Sequence, residues 1–198
     1  MKADKREDAV IRARDLFWAK GYHATSLKDL EATLDMRPGS IYAAFDSKEK
    51  LFLEALERYA QAGAARFADL RANYASPLAA LAAHIRSFAD LGQRDEPARA
   101  CMMVKTVLEA AQTPALSERA EALLAETEAR FIATFSDALA AGEIAPDSNP
   151  AKLGRRYMAE IGGLRAYAQR PGSSTAVAEM AEDIAREVEA LRVQGDRD

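Results

Sequence analysis

Cysteine is almost absent from this 198-residue chain, which has one, and histidine occurs only twice. The lone Cys101 excludes an intramolecular disulfide framework and a cysteine-rich zinc module, and it suits a reducing compartment. His23 and His84 lie far apart, so no histidine-rich metal site is expected. Also missing are a phosphate-binding glycine loop and a serine-centred nucleophile elbow. Acidic pairs such as Glu126 with Glu128, or Glu187 with Glu189, read as solvated helix faces. These absences predict a protein that is not an enzyme and that holds no metal and no cofactor.

Residues that favour strands are scarce too. Valine and isoleucine together number 13, against 44 alanines and 19 leucines. Alanine and leucine favour helices, whereas β-branched residues favour strands, so the composition predicts an all-α protein. No stretch approaches the roughly 18 uncharged apolar residues of a membrane span. The amino end, Met1 to Asp8, is charged along its length and lacks the apolar segment of a secretory signal. A soluble cytoplasmic protein with no membrane partner is expected. A surplus of positive charge is also lacking: the formal charge is −4. That argues against a non-specific coat on nucleic acid, which needs many Lys and Arg to neutralise phosphates, but leaves room for a local site. What is present is ample apolar material, 49% of residues, enough for one globular domain or two small ones with a real core.

Apolar spacing and punctuation predict nine helices. The first runs over residues 4–20 with Val10, Ala13, Leu16 and Phe17 on one side and Gly21 as a carboxyl-terminal cap. The second follows Thr25-Ser26, with Asp29 completing a capping box, and carries Leu27, Leu30 and Leu34. Pro38 opens a short third helix with Ile41, Tyr42 and Phe45. Residues 48–72 form a long fourth helix after Asp46-Ser47. Pro77 opens the fifth, Pro97 and Pro114 bracket a sixth over residues 98–112, and residues 115–141 form the seventh. The turn Asp147-Ser148-Asn149-Pro150 precedes the eighth, and Pro171-Gly172-Ser173-Ser174 precedes the ninth.

Three helices and a long fourth, with a tight turn between the second and third, form the arrangement of a helix-turn-helix DNA reader. The residues are more specific. Phe17-x-x-Lys20-Gly21-Tyr22-x-Ala24-Thr25-Ser26, followed by Gly39-Ser40-Ile41-Tyr42-x-x-Phe45-x-Ser47-Lys48-Glu49-x-Leu51, closely resembles the amino-terminal domain of TetR-family transcriptional regulators. The resemblance implies a homodimer whose paired recognition helices read a palindromic operator in double-stranded DNA. It also implies a separate helical domain that binds a small-molecule effector and dimerises. The division expected here is a reader over 1–47 and a ligand-binding and dimerisation domain over 48–198.

Thr25 and Ser26 stand at a helix start, where hydroxyls and free backbone N–H groups hold phosphate, and Lys48 adds a charge at the start of the fourth helix. In the family, positions matching Tyr42 and Lys48 touch the DNA backbone; packing for Tyr42 and ordinary solvation for Lys48 are the bland alternatives. Arg37, Pro38, Gly39, Ser40, Ala43 and Ala44 are the candidates to face base edges, although the two alanines offer little beyond contact with a thymine methyl. Arg37 and Lys28 are the expected guanine-type hydrogen-bond donors, with a phosphate contact as the alternative for Arg37. The segment departs from the family pattern at Asp35, where glycine is common, and at Arg37-Pro38, so the family's base preferences are not carried over. Residues 1–50 hold ten basic and nine acidic side chains. Binding must therefore come from placed contacts, with Lys2, Lys5 and Arg6 as a candidate basic arm.

In the carboxy-terminal part, Gly142-Glu143-Ile144-x-x-Asp147-x-Asn149-Pro150 and Gly162-Gly163-Leu164-Arg165 resemble the approach to the last two helices of such regulators, which by resemblance form a four-helix dimer interface. Ala159, Gly162, Gly163, Ala166, Val177, Met180 and Ile184 are its candidates, and close packing within one subunit is the alternative. An effector pocket is expected among the middle helices, with Phe67, His84, Phe88, Cys101, Met102, Lys105, Phe131, Phe135, Tyr157 and Glu160 as candidates. Cys101 reads either as plain core or as a redox sensor. A ligand-released repressor is the leading functional reading. An activator or partner-regulated protein of the same fold, or a helical interaction module with a decayed reader, are the alternatives.

Overall fold

A computed structural model describes residues 3–91, 97–110 and 112–193 of the chain. Among them are nine α-helices: α1 (Ala3–Lys20), α2 (Leu27–Leu34), α3 (Pro38–Phe45), α4 (Lys48–Ala72), α5 (Pro77–Arg86), α6 (Met102–Glu109), α7 (Pro114–Ala140), α8 (Pro150–Tyr167) and α9 (Ser174–Glu189). No strand forms among the described residues, which contain only an isolated antiparallel bridge between Ile144 and Arg192. The all-α expectation holds element by element, with one clear difference. Of the segment expected to be helical over 98–112, the described residues are helical only in α6, with Cys101 extended (φ −65°, ψ 126°) just ahead of it, and residue 111 lies outside the described residues. Ala100 gives its carbonyl to the Trp18 indole N–H at 2.7 Å rather than to a helical amide, a distant partner that periodicity does not reveal.

The chain divides into two compact units, one within Met1–Gly63 and Glu96–Leu124, the other within Ala64–Asp95 and Ala125–Asp198. In the first, α1 buries Ala9, Val10, Ala13 and Phe17, α2 buries Leu30 and Leu34, and α3 buries Ile41 and Phe45. These sets recur at three- and four-residue steps, so each helix presents one apolar stripe to a common core. The amino-terminal part of α4 closes it with Leu51, Phe52, Ala55 and Leu56, and the Phe17 and Phe52 rings meet edge-on at 4.9 Å. Burying each such Leu or Phe contributes roughly 1.5–3 kcal/mol, which holds three short helices in register that would not persist alone. Met102, Met103, Leu116, Ala120 and Leu123 join the same core.

In the second unit α5 packs on α9. Val177, Ala181, Ala185 and Val188 form the buried stripe of α9, and its two alanines allow close approach to Leu78, Leu81, Ala82 and Ile85 of α5. Arg86 fastens the pair by reaching Glu182 at 2.8 Å and Glu189 at 2.6 Å. The Glu143 carboxylate caps the start of α5, accepting the Leu78 N–H at 3.0 Å and the Ser76 hydroxyl at 2.8 Å. Gly154 lets α8 approach α7, since a Cβ there would stand 2.5 Å from Ile132 Cγ1 and 3.0 Å from its backbone.

Candidate nucleic-acid interface

The sequence from Gly21 to Glu49 builds a tightly specified helix-turn-helix. Gly21 ends α1 with φ +85°, a conformation that side-chain-bearing residues rarely adopt. Ser26 caps α2: its hydroxyl oxygen accepts the Asp29 N–H at 3.1 Å, and Asp29 in return accepts the Ser26 N–H at 2.8 Å. This is the expected capping box, and such a cap stabilises by about 1 kcal/mol. Lys20 pairs with Asp29 at 2.8 Å, and this charge, together with the Ser26 hydrogen bonds, holds the carboxyl far below the usual range. At the other end of α2, Asp35 takes the left-handed conformation (φ 52°, ψ 48°), which explains why glycine is common at this point of the turn. Arg37 is extended ahead of Pro38, whose fixed φ starts α3 without a sacrificed hydrogen bond.

Burying Ile41 and Phe45 turns the opposite edge of α3 outward. Gly39, Ser40, Tyr42 and Ala43 are exposed, Tyr42 at 47% of its surface, while Pro38 is half-buried. Arg37 and Lys28 are exposed as well, and neither forms an ion pair among the described residues. Neighbouring cations are committed elsewhere: Lys50 to Asp46 at 2.7 Å, and Arg6 to Glu54 at 2.7 Å with its guanidinium 4.9 Å from the Phe45 ring centre. The expected basic arm is thereby reduced. Arg6 is tied to the reader, Lys5 is exposed on α1, and Lys2 lies outside the described residues.

Two expectations are corrected. The Thr25 side chain is buried, and its hydroxyl donates to Gly21 O at 2.7 Å, so it braces the turn instead of facing a phosphate. Ala44 packs against the core and leaves Ala43 alone on the outer edge. Lys48 is partly buried at the start of α4, with its ammonium 4.3 Å from the centre of the Tyr22 ring. Burial pushes its pKa down, and the Asp29 charge works the other way. Tyr22 had no role in the sequence reading, although it stands inside the motif between Gly21 and Ala24; its ring also meets Phe52 edge-on at 5.1 Å.

The candidate effector residues separate into two groups. Phe67, Phe88, Phe131, Phe135 and Tyr157 are buried together in the second unit around half-buried His84. The His84 ring lies 4.8 Å from Phe67 and 5.1 Å from Phe88, centre to centre. Tyr157 donates its hydroxyl to Leu81 O at 2.9 Å, so its oxygen accepts from His84 Nδ1–H at 2.8 Å, which places a proton on Nδ1. Burial, and secondarily the Glu160 charge, push the Tyr157 phenol well above its ordinary pKa. Glu160 itself is paired with Arg156 at 2.6 Å. Cys101, Met102 and Lys105 belong to the first unit and are not part of this cluster. Cys101 precedes α6, Met102 is buried in the first core, and the Lys105 ammonium donates to Trp18 O and Ala19 O instead of standing ready as a ligand anchor.

On α8, Ala159, Gly163 and Ala166 recur at helical spacing on an exposed face, with Gly162 half-buried beside them. A Cβ added at Gly162 or Gly163 would meet nothing within 4 Å. Met180 and Ile184 are partly buried against the second core. Val177 is a correction: it is wholly buried in the core of its own unit and so presents no surface to another copy.

A capped α2, a tight turn and a proline-started α3 with an outward polar edge define a helix-turn-helix module. The family description "Bacterial regulatory proteins, tetR family" matches residues 12–55, and "Tetracyclin repressor-like, C-terminal domain" matches residues 77–184. The chain belongs to the TetR family of bacterial regulatory proteins, a family of regulators rather than enzymes. It is similar to the HTH-type transcriptional repressor ComR of Escherichia coli (strain K12), with 37% identity over 105 residues, 52% of this chain and 50% of ComR. The chain thus spans about half the length of that curated relative. Among solved structures it resembles a TetR transcriptional regulator from Chloroflexus aurantiacus J-10-FL at TM-score 0.86 and 27% identity, covering 96% of this chain and 98% of that one. It also resembles a cysteine mutant of the regulator CifR complexed with 26-bp double-strand operator DNA, at TM-score 0.81 and 28% identity, covering 91% and 94%.

Proposed function

We propose that this protein is a DNA-binding transcriptional repressor that reads a palindromic operator as a homodimer and is released by a small-molecule effector. The observation that carries the reading is the outward edge of the helix-turn-helix, where Arg37, Gly39, Ser40, Tyr42 and Ala43 are exposed, as is Lys28, and neither cation is neutralised by a carboxylate among the described residues. Phosphate contacts from Ser26, Tyr42 and Lys48 position the module, and Arg37 and Lys28 read base edges. CifR's complex with operator DNA supports this reading by similarity. The reader is assigned to 1–47, and effector binding and dimerisation to 48–198.

The exposed Ala159–Gly163–Ala166 face of α8 supports dimerisation, because small side chains let a second helix approach closely. The aromatic cluster around His84 supports an effector site with apolar, ring-bearing walls. An effector lowers operator affinity only if it binds the DNA-incompetent state more tightly; α4, continuous from Lys48 to Ala72, is the element proposed to carry that difference to the reader. Such a role belongs in the cytoplasm, and no helix among the described residues is long and apolar enough to cross a membrane.

The experiment is selection of bound duplexes from a random DNA pool, followed by gel shift with the enriched sequence. Enrichment of a two-fold symmetric site supports the proposal. Recovery of no sequence-dependent binder rejects it in favour of an interaction module with a decayed reader.

A further inference from the structure

We propose that Lys105 of α6 is a positioning residue for the reader: its ammonium caps the carboxyl end of α1 and holds the turn that carries the Tyr22–Lys48 contact. This rests on the DNA-binding reading above. An α-helix leaves its last carbonyls without intrahelical partners, and a cation there also meets the negative end of the helix dipole. In α1 the Gly21 N–H returns to Phe17 O at 2.7 Å. The next two carbonyls, Trp18 O and Ala19 O, accept from Lys105 Nζ at 3.2 and 3.0 Å.

Two further contacts join the same stretch to the same turn. The Trp18 indole donates to Ala100 O at 2.7 Å, just ahead of α6. Glu109, one turn beyond Lys105, closes over Gly21 so tightly that a Cβ there would lie 2.3 Å from its Oε2. From that turn the contacts continue without a gap. Gly21 O accepts the Thr25 hydroxyl at 2.7 Å, Tyr22 O accepts the Thr25 N–H at 3.4 Å, and the Tyr22 ring carries Lys48. Removing the Lys105 charge strips two carbonyls of their donor and loosens α6 from the turn. The first turn of α2 and the Lys48 ammonium then lose their fixed separation. Phosphates on a duplex are fixed in spacing, so a reader whose contacts wander binds them less well.

The test uses the full chain and an operator selected from a random DNA pool. Fluorescence anisotropy at several salt concentrations compares wild type, Lys105→Met and Lys105→Arg, and hydrogen exchange follows the Gly21 and Thr25 amides of the free proteins. Emission from the sole tryptophan, Trp18, verifies that each variant is folded; Lys105→Leu, which also removes both the charge and the donors, replaces the Met variant if that one is unstable. Lys105→Met is expected to weaken operator binding roughly tenfold, a size typical of coupling between distant sites. The salt slope should stay unchanged because no phosphate contact is lost. Exchange at both amides should accelerate, and Lys105→Arg should restore most of the affinity and the protection. Undiminished affinity in a folded Met or Leu variant overturns the proposal. So does a smaller salt slope, which would make Lys105 a DNA contact, and so does weaker binding with unaltered exchange. If the wild type binds no DNA at all, the DNA-binding reading falls by itself, and the amide exchange still decides whether Lys105 holds the turn.

Discussion

The Lys48 ammonium stands 4.3 Å from the centre of the Tyr22 ring, and Tyr22 itself is propped by Phe52 at 5.1 Å. A flexible lysine at a helix start loses side-chain entropy when it grips a phosphate. For the proposed Lys48–phosphate contact, a ring that already holds the ammonium before DNA arrives would reduce that cost. A cation over an aromatic face at a partly exposed site is stabilised by about 0.5–1 kcal/mol.

Lys48→Ala and Tyr22→Leu should therefore weaken operator binding in different ways. Loss of Lys48 removes a phosphate contact in each half-site, so the slope of log affinity against log salt should fall by about 0.9 per half-site. Loss of the Tyr22 ring leaves the charge and should cost about two- to fivefold in affinity at unchanged slope. Anisotropy titrations across a salt series separate the two. Equal slopes for wild type and Lys48→Ala would remove Lys48 from the phosphate contacts.

Gly163→Arg discriminates a dimer face from an ordinary solvated one. A Cβ at Gly163 would meet nothing within 4 Å in the protomer, and replacing a mid-helix glycine improves helix propensity by up to about 1 kcal/mol. The isolated subunit should therefore fold normally. If α8 packs against its counterpart, the bulky cation must disrupt that contact. Sedimentation velocity should show a dimeric wild type and a folded monomeric variant with lost operator binding; a dimeric variant would move the interface elsewhere.

Acid stability should report on the clamp between α5 and α9. The hydrogen bond from Arg86 pulls the Glu182 carboxyl down from 4.5 to about 2. A folded-state pKa below the unfolded value means that the pair stabilises the fold above the unfolded pKa and loses that contribution as pH falls through the folded pKa. Urea unfolding of wild type should weaken between about pH 4.5 and 2, and Glu182→Gln should be less stable at neutral pH and show a flatter profile over that window. Parallel profiles would mean that Arg86 adds nothing to Glu182.

The helices and caps were legible because their causes are local. Ser26 and Asp29 form a capping box three residues apart, Pro38 can only start a helix, and the stripe Leu30, Leu34, Ile41, Phe45 follows the helical period. The limits of the reading are equally physical. Thr25 looked like a phosphate ligand from its place at a helix start, but its hydroxyl is drawn inward to Gly21 O by a tight turn. Lys105 and Ala100 meet α1 across more than eighty residues of sequence, so no local pattern announces that α6 closes on the first helix. Two turns defy glycine preference: Asp35, which caps the end of α2, and Asp46, which caps the end of α3, are the non-glycine residues with positive φ among the described residues. Both strained positions therefore frame the helix proposed to enter the groove, at about 1 kcal/mol or more each. The division of the effector candidates between two units was not legible, because aromatic residues are spaced alike whether they line a ligand site or a core.

The proposed repressor reads a two-fold site through paired modules that depend on few, placed contacts. The most direct measurement is the stoichiometry and salt dependence of binding to the selected duplex and to a scrambled duplex of equal length, by mass-resolved titration. An even number of protomers is expected on the selected site, with affinity falling steeply as salt rises, and far weaker binding to the scrambled sequence. Equal affinity for the two duplexes, or a single protomer saturating the site, would contradict it.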